Sequence, residues 1–397
     1  MSTTPAVTPI RAQTRAPEEQ VVSRPRALLL LDPLLLLAAL GLVACSLITL
    51  HGAPQAGAYY VKRQAIFAGI GLVSALLLAQ IDYSRLREYR YILYGAMLAL
   101  NVVVLGMPAV RGSHRWIPLP GFEFQSSEFG KVLLIVSLSA FLVGRARRLH
   151  ERRTTARIML LALVPAMIVI PQPDLGTGLV YAVVGYTILF VAGTSWKQLS
   201  ALAALAAVAV AVVLAGAPAL GVHVLKPYQE QRLTGFLNPS KDPQGSTYNI
   251  TESLIAIGSG GKSGRGVHGA TQFGLNYLSA GETDFIFSVV GETYGFVGAA
   301  VVLSLYALLI WRALRILMIA KNLFGTVISG GILAMLMFQV FVNVGMTIGI
   351  MPITGVPLPL MSYGGSSVVM TFIALGLLQS IHVQARLASA GKSRGLV

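Results

Sequence analysis

The sequence predicts an all-α membrane protein with ten transmembrane helices, and three observations lead to that fold class. Hydrophobic residues make up 55% of the chain and charged residues 11%, with a mean hydropathy of +0.72. A soluble domain carries about 25% charged residues, so this composition cannot cover the surface of a soluble protein. Apolar runs close to the ~20 residues that cross a bilayer recur along the chain. The basic residues, which give a net charge of +15, lie in short segments between these runs.

The ten predicted spans are apolar runs separated by charged, Gly-containing or Pro-containing segments. The first has a clear start signal, because Asp32 can cap the free amides of a helix and Pro33 suits its first position. The predicted spans are roughly 33–50, 65–81, 91–105, 128–143, 154–170, 175–192, 199–219, 285–318, 323–350 and 366–381.

The basic residues also predict the orientation of the spans. Cytoplasmic loops of membrane proteins carry an excess of Lys and Arg. Alternation through ten spans places most of the basic residues, and both termini, in the cytoplasm. The short loops on the opposite side then hold Lys62, Arg63, Arg111 and Arg115. Since this distribution is typical of membrane topology and contact with membrane lipids, we expect no nucleic-acid partner.

Two tails and one long loop complete the predicted organisation. Residues 1–26 are expected to form a disordered cytoplasmic tail, residues 27–385 the ten-helix domain, and residues 386–397 a second cytoplasmic tail. Residues 220–284 form a large extracytoplasmic loop between the seventh and eighth spans. Loops of this length are usually functional or disordered. Short apolar stretches such as ESLIAIG predict that this one packs on the membrane domain.

Carboxylates gather at the outer end of the eighth span, in GETDFIFSVVGETYG (residues 281–295). Asp284, Ser288 and Glu292 recur every four residues, so on a helix they form one stripe. Because ionisable groups in lipid are costly, we expect the stripe to face a cavity inside the protein. Two alternatives remain open: Asp284 as an interfacial or capping carboxylate, and Glu292 as part of a packing salt bridge.

Two further outer segments supply polar candidates. In RGSHRWIPLPGFEFQSSEFGK (residues 111–131), Glu128 and Lys131 are three residues apart and can pair on one helix face, while Arg115 can face an anionic substrate. In PQPDLGTG (residues 171–178), Asp174 can serve as a helix cap.

Two Gly-rich or Pro-rich segments are the remaining candidates. IGSGGKSGRGVHG (residues 257–269) lacks a Walker A pattern, but its backbone amides with Lys262 and Arg265 can hold a phosphate group; a flexible surface turn is the alternative. MPITGVPLPLMSYGGSS (residues 351–367) is irregular backbone, which at membrane depth is tolerated only where it lines a cavity or is buried. Ser362 and Tyr363 are its candidate substrate contacts.

Taken together, these segments resemble the SEDS family (shape, elongation, division and sporulation) of bacterial membrane glycosyltransferases. The matching stretches are HRWIPLPGFEFQSSEFGK, QPDLGTG, ESLIAIGSGGKSGRG, ETDFIFSVVGETYG and NVGMTIGIMPITGVPLPLMSYGGSS. They occur in family order and cover nearly the whole chain beyond the N-terminal tail. The resemblance is closer to the elongation branch of the family than to the division branch.

The resemblance implies polymerisation of lipid II into glycan strands on the outer face of the bacterial cytoplasmic membrane, with inversion at the anomeric carbon. It makes Asp284, the acid of TDFIFS, the catalytic residue, and a class B penicillin-binding protein the partner. A carboxylate acting as general base typically contributes about 10²–10⁴-fold. Arg115, Lys131, Lys262 or Arg265 can offset charge on the pyrophosphate leaving group. A divalent cation, Mg²⁺ or Mn²⁺, can share that task, although the sequence contains no dedicated metal cage.

Two other classes of function fit parts of the same pattern. A flippase or transporter for lipid-linked precursors also needs many spans and cavity-facing charges. Such a protein requires polar residues that reach both membrane faces, whereas here the polar motifs gather on the outer side. A scaffold that binds a cell-wall transpeptidase is the second alternative.

Overall fold

A computed structural model describes residues 29–53, 57–107, 115–119, 122–172, 174–219, 232–233, 235–237, 247–275 and 277–394. The predicted tail at residues 1–26, parts of the predicted large loop and residues 395–397 lie outside the described residues. The described residues form α-helices joined by short connections, with a single antiparallel hairpin among them. The strands of that hairpin, β1 (Trp116–Leu119) and β2 (Phe122–Gln125), pair with Trp116 opposite Gln125.

The helices are named in chain order. They are α1 Pro33–His51, α2 Gly57–Ala79, α3 Arg90–Leu105, α4 Ser126–Val143, α5 Arg152–Val169, α6 Leu175–Val191, α7 Trp196–Ala211, α8 Ala217–Ala219, α9 Tyr248–Gly260, α10 Thr271–Gly274, α11 Ile286–Ile319, α12 Leu323–Thr347 and α13 Gly365–Arg394. Short 3₁₀ turns occupy Tyr83–Arg87, Ala146–Arg148 and Gly235–Leu237, and a π turn at Val212–Gly216 joins α7 to α8.

Apolar helices occupy the position of every predicted span. Seven of the helices in the described part of the chain are long and apolar enough to cross a membrane, so the chain is a multi-pass membrane protein. Helices α3 and α6 are shorter apolar helices of 16 and 17 residues, and α5 begins with Arg152 and Arg153. The count of ten spans and their orientation stay predictions.

Local sequence explains where several helices begin. The Asp32 carboxylate accepts hydrogen bonds of 3.1 Å from the amides of Leu34 and Leu35, which confirms the predicted cap of α1. The Asn322 side chain caps α12 in the same way by accepting from the Gly325 amide. Such caps satisfy amides that have no partner inside the helix.

Two helices are longer than their apolar runs predicted. Helix α2 begins at Gly57 rather than near residue 65, and α13 continues to Arg394 rather than ending near residue 381. Hydropathy marks only the part of a helix that suits lipid, whereas the hydrogen-bonded helix continues through polar residues at its ends. In α2 one of these polar residues, Gln64, is buried and donates to the Ser362 carbonyl at 3.1 Å.

Burial separates central helices from peripheral ones. In α4, α12 and α13, 83%, 78% and 89% of the span residues are buried, whereas in the span that begins with α7 the figure is 6%. Close backbone approach holds α13 against α2, since a Cβ added to Gly376 would lie 2.7 Å from the Ala75 Cα. The segments carrying the polar candidates meet at one end of this central group.

Candidate active site

Asp284 lies in a turn, residues 281–285, directly before the first residue of α11. Its side chain is half-buried. The backbone of Gly355, from the Pro-rich segment between α12 and α13, borders the carboxylate: a Cβ added there would lie 3.6 Å from Asp284 Oδ2. Gly355 has φ +71°, a conformation that favours glycine. The Pro-rich segment therefore forms one wall beside Asp284.

An amide from α12 holds the main chain at Asp284. Asn343 Nδ2 donates to the Asp284 carbonyl at 2.9 Å and to the Val356 carbonyl at 2.8 Å. Asn343 is fully buried. Both of its donor hydrogens are used, so this side chain ties the acidic turn to the Pro-rich segment.

Ser362 and Tyr363 hold the same turn from the other side. The Ser362 hydroxyl donates to the Thr283 carbonyl at 2.6 Å and accepts from the Leu358 amide at 2.8 Å. The Tyr363 amide donates to the Glu282 carbonyl at 2.8 Å. These contacts position the acidic turn through its main chain, and the substrate contacts predicted for Ser362 and Tyr363 stay predictions.

Charged side chains surround the Asp284 carboxylate. Burial raises the pKa of Asp284 above its usual range, while the positive charges of Arg115 and Arg232 lower it. The carboxylates of Asp174 and Glu282 add to the rise in that pKa. The Arg232 carbonyl also accepts a hydrogen bond from a backbone amide of the Pro-rich segment, at 3.3 Å. The site thus combines one carboxylate that can take up a proton with two fixed positive charges.

Asp174 caps α6 as predicted and also joins three segments. Its Oδ1 accepts from the Thr177 amide at 3.2 Å. Its Oδ2 accepts from the Ser127 hydroxyl at 2.9 Å and from Gln125 Nε2 at 3.4 Å. The residue therefore fixes the end of β2 and the start of α4 against α6, close to the charges that surround Asp284.

The predicted pair at the start of α4 is confirmed. Lys131 Nζ lies 2.6 Å from Glu128 Oε1, and each side chain is only 3% exposed. Arg115, just before β1, donates from Nε to the Gln172 carbonyl at 3.0 Å. The roles of these three residues in substrate binding stay predictions.

Ser288 and Glu292 are covered by the loop that precedes α11. Ser288 Oγ lies 2.6 Å from Ser253 Oγ on α9. The Glu292 carboxylate accepts from the amides of Gln272 and Phe273 at 2.8 and 3.1 Å and so caps α10. Both side chains are 0% exposed, so they lie under α9 and α10 rather than facing an open cavity as the stripe suggested.

Helix α11 is broken at Gly295, where φ is +65° and ψ is −158°. The break leaves main-chain carbonyls without helical partners, and the Gly-rich loop supplies donors to them. The Arg265 amide donates to the Glu292 carbonyl at 2.9 Å, and the Gly266 amide to the Thr293 carbonyl at 3.0 Å.

The second half of the broken helix is bonded to the same loop. The amides of Phe296 and Val297 donate to the carbonyls of Gly261 and Lys262 at 2.9 and 3.2 Å. We call residues 261–266 the clamp. Its amides at residues 265 and 266 donate to the carbonyls at the helix break, so these two amides are not available to a phosphate group. The side chains of Lys262 and Arg265 are exposed.

A divalent cation finds few ligands here. The described part of the chain contains no group of three or more His, Cys, Asp or Glu side chains placed to hold a metal ion. Near Asp284 the positive charges of Arg115 and Arg232 are already present. Arginine side chains carry only N–H donors, so these two residues cannot supply the oxygen ligands that Mg²⁺ or Mn²⁺ prefers.

Comparison with known proteins decides the family. Residues 27–387 match the family model FTSW_RODA_SPOVE, described as "Cell cycle protein". The chain belongs to the FtsW/RodA/SpoVE family. This is the SEDS family indicated by the sequence motifs, and the match covers all the site segments described above.

Relatives within the FtsW/RodA/SpoVE family resemble the chain over most of its length. The peptidoglycan glycosyltransferase MrdB of Escherichia coli K12 is 37% identical over 360 residues, which cover 90% of this chain and 95% of MrdB. The peptidoglycan glycosyltransferase RodA of Treponema pallidum is 34% identical, covering 89% and 98%. A solved chain described under "Structural coordination of polymerization and crosslinking by a peptidoglycan synthase complex" matches with a TM-score of 0.75 and 33% identity, covering 89% of this chain and 98% of that one.

Sequence reasoning missed three residues of this SEDS site. Asn343 carried a usable signal, because an amide inside an apolar helix must find buried partners. Gly355 and Arg232 carried none, since only folding brings the Pro-rich segment and the distant loop beside Asp284.

Proposed function

We propose that this chain is a peptidoglycan glycosyltransferase that polymerises lipid II into glycan strands, with Asp284 as the general base. Family membership and the relatives named peptidoglycan glycosyltransferase support the activity. One observation carries the assignment of the base: Asp284 is a half-buried carboxylate in a braced turn, with its pKa raised by burial and with two arginine charges acting on it.

The proposed reaction is a single displacement. The acceptor sugar hydroxyl loses its proton to Asp284 as its oxygen bonds to the anomeric carbon of the donor. The bond from that carbon to the pyrophosphate oxygen breaks, with inversion, and polyprenyl pyrophosphate leaves. A base whose pKa lies nearer the working pH transfers protons more effectively, which is what a raised pKa of Asp284 contributes.

The positive charges of nearby arginines can stabilise the negative charge that develops on the pyrophosphate leaving group. Arg115 and Arg232 act electrostatically on Asp284, so both lie close enough to offset charge that develops beside it. Lys262 and Arg265 are exposed on the clamp and are proposed as additional phosphate contacts. Mg²⁺ or Mn²⁺ stays part of the proposal as an optional ion, but no step is routed through it.

The proposed membrane arrangement is the one that the charge pattern predicts. The chain crosses the cytoplasmic membrane ten times, with both termini inside and residues 220–284 outside. The Asp284 turn, the Pro-rich segment and the β1–β2 hairpin then lie together on the outer side, where lipid II is used.

A class B penicillin-binding protein is the proposed partner, because polymerised strands must be crosslinked. The solved chain most relevant to this point belongs to a complex whose description names polymerisation and crosslinking together. Relatives named MrdB and RodA favour a role in elongation and cell shape. A division role like that of FtsW is the alternative within the family.

The experiment is a lipid II polymerisation assay on the purified full-length chain, alone and with a class B penicillin-binding protein. We expect Asp284→Asn to reduce glycan synthesis by at least about 100-fold, the lower end of general-base contributions. The matched control is Glu282→Gln in the same turn, whose side chain accepts from the Tyr60 hydroxyl at 3.2 Å and which should keep most activity. Full activity of Asp284→Asn would contradict the assignment.

The same preparation separates the polymerase from a flippase. In sealed vesicles, labelled lipid II that crosses the membrane while no polymer forms under any partner condition would favour the transporter. The grouping of polar motifs at one end of the bundle supports the polymerase.

A further inference from the structure

The connection between α4 and α5, together with the first two turns of α5, is the most basic part of the described chain. The proposed function does not use it. The arginine cluster consists of Arg145, Arg147, Arg148, Arg152, Arg153 and Arg157. Glu151 is the one carboxylate in the same stretch, and its Oε1 lies 3.9 Å from Arg148 Nε in an exposed pair. Within the described residues, the other five arginines form no salt bridge.

The arginine cluster surrounds a cavity. Its volume is about 200 Å³. Its lining residues are Arg145, Arg148, Glu151, Arg153, Thr154 and Arg157. Guanidinium groups present planar sets of N–H donors that match phosphate oxygens, and they do so better than the point charge of lysine. The cavity therefore has the chemistry of a phosphate site.

An exposed apolar stripe continues from the cavity along α5. Arg153 and Arg157 are followed on the same helix face by Leu160, Val164 and Met167, at spacings of three and four residues. These three side chains are 61%, 38% and 64% exposed. In a membrane protein such a stripe meets acyl chains, so the two arginines lie where the lipid-facing surface ends. That is the level of the phospholipid headgroups.

The start of α5 adds an electrostatic reason for an external anion. Arg152 and Arg153 occupy its first turn, which contains no acidic residue. Positive side chains are unfavourable there, because the helix dipole already places partial positive charge at the N-terminus. An anion held by the arginine cluster would offset both charges.

We propose that the arginine cluster and the adjoining stripe bind an anionic phospholipid. Its phosphate occupies the cavity, and its acyl chains lie on Leu160, Val164 and Met167. The stripe decides between possible occupants, because neither a free phosphate nor an acidic peptide would use it. Basic pockets between membrane helices are known to take such headgroups. This inference is independent of the glycosyltransferase activity.

The test is native mass spectrometry of the full-length chain, with phosphatidylglycerol and phosphatidylcholine offered at equal concentration. We expect the wild type to retain phosphatidylglycerol preferentially. Arg153→Gln together with Arg157→Gln should lower that retention by about 30-fold, since each basic residue near the headgroups contributes about fivefold. The matched control is Arg85→Gln with Arg87→Gln, two exposed arginines in the Tyr83–Arg87 turn that do not line the cavity. Their charge acts on a lipid in the cavity only through screening solvent, so this variant should change retention by less than about threefold.

Three outcomes would overturn the proposal. Equal losses in the two double variants would mean that the chain attracts anionic lipid only through diffuse charge. If glycerol phosphate, which has no acyl chains, displaced phosphatidylglycerol as well as added phosphatidylglycerol does, the cavity would be a site for free phosphate. If the Gln variant fails to fold, Arg153→Lys with Arg157→Lys keeps the charge and loses the forked donors. It should then show a smaller, measurable loss, and no loss would likewise contradict the proposal.

Discussion

The side-chain amide of Asn343 donates a 2.9 Å hydrogen bond to the main-chain carbonyl of Asp284, across 59 residues of sequence. Its second hydrogen goes to the Val356 carbonyl at 2.8 Å. One buried amide thus fixes the catalytic candidate relative to the Pro-rich wall beside it. Because the bonds reach the main chain, they position the Asp284 side chain without contacting it.

Asn343→Leu, which keeps the volume but removes both donors, is expected to lower the rate of glycan synthesis more than it lowers lipid II affinity. Each buried carbonyl left without a donor costs about 1–3 kcal/mol, so the Asp284 turn should shift. Steady-state kinetics on lipid II would show a fall in kcat of at least about tenfold with a smaller change in KM. An unchanged kcat would show that the turn holds its geometry without Asn343.

The raised pKa of Asp284 has a consequence for both rate and stability. As a base it must be ionised, so polymerisation should fall with decreasing pH at a midpoint above the ~3.9 of an ordinary aspartate. The contribution of Asp284 to the free energy of unfolding has the opposite pH dependence. Because its pKa is higher in the folded state than in the unfolded state, this contribution is fully present below the unfolded-state pKa and is lost as pH rises through the folded-state pKa. A pH–rate profile checks the first expectation.

Asp284→Asn checks the second expectation, since it removes the cost of burying an ionised carboxylate. At a pH on the plateau of the pH–rate profile, where Asp284 is ionised in the wild type, the thermal unfolding midpoint of the variant should equal or exceed that of the wild type, although its glycan synthesis is reduced. A clearly lower midpoint would instead mean that the carboxylate contributes to the fold, and loss of activity could then not be assigned to loss of the base.

Gly264→Ala is expected to disrupt the clamp on α11. Gly264 has φ +82°, and an added Cβ would lie 2.2 Å from the Thr293 carbonyl oxygen, so the clamp would be pushed off the helix break. The left-handed conformation alone costs an alanine about 1–2 kcal/mol, and the clash adds to it. Gly258→Ala in α9 is the matched control, because its added Cβ meets nothing within 4 Å. Thermal unfolding should separate the two, and equal midpoints would contradict a tight clamp.

The Glu128–Lys131 pair allows stability and substrate binding to be tested separately. Lys131→Met leaves a buried carboxylate unpaired, which typically costs about 3–5 kcal/mol, whereas Glu128→Met with Lys131→Met removes both charges and should restore much of the loss. If the predicted substrate role is correct, the double variant is folded but polymerises lipid II poorly. Restored stability together with full activity would leave the pair a purely structural role.

The helices and the acidic turn could be predicted because their signals are local. Apolar runs mark the helices of the membrane domain, and Asp32, Asp174 and the Glu128–Lys131 pair act within a few residues of their partners. The start of α2 and the end of α13 were predicted less well, because hydropathy gives no signal for the polar residues through which a helix continues beyond its apolar run.

What the sequence by itself determined is the membrane class, the family and the position of Asp284 at the start of α11. Only the tertiary structure decided what surrounds that carboxylate. Asn343, Arg232 and Gly355 reach it from distant parts of the chain, and Glu292 proved to cap α10 under the loop. The physical reason is that periodicity reports which face a residue shares, whereas hydrogen bonds and electrostatic neighbours depend on how separate segments pack.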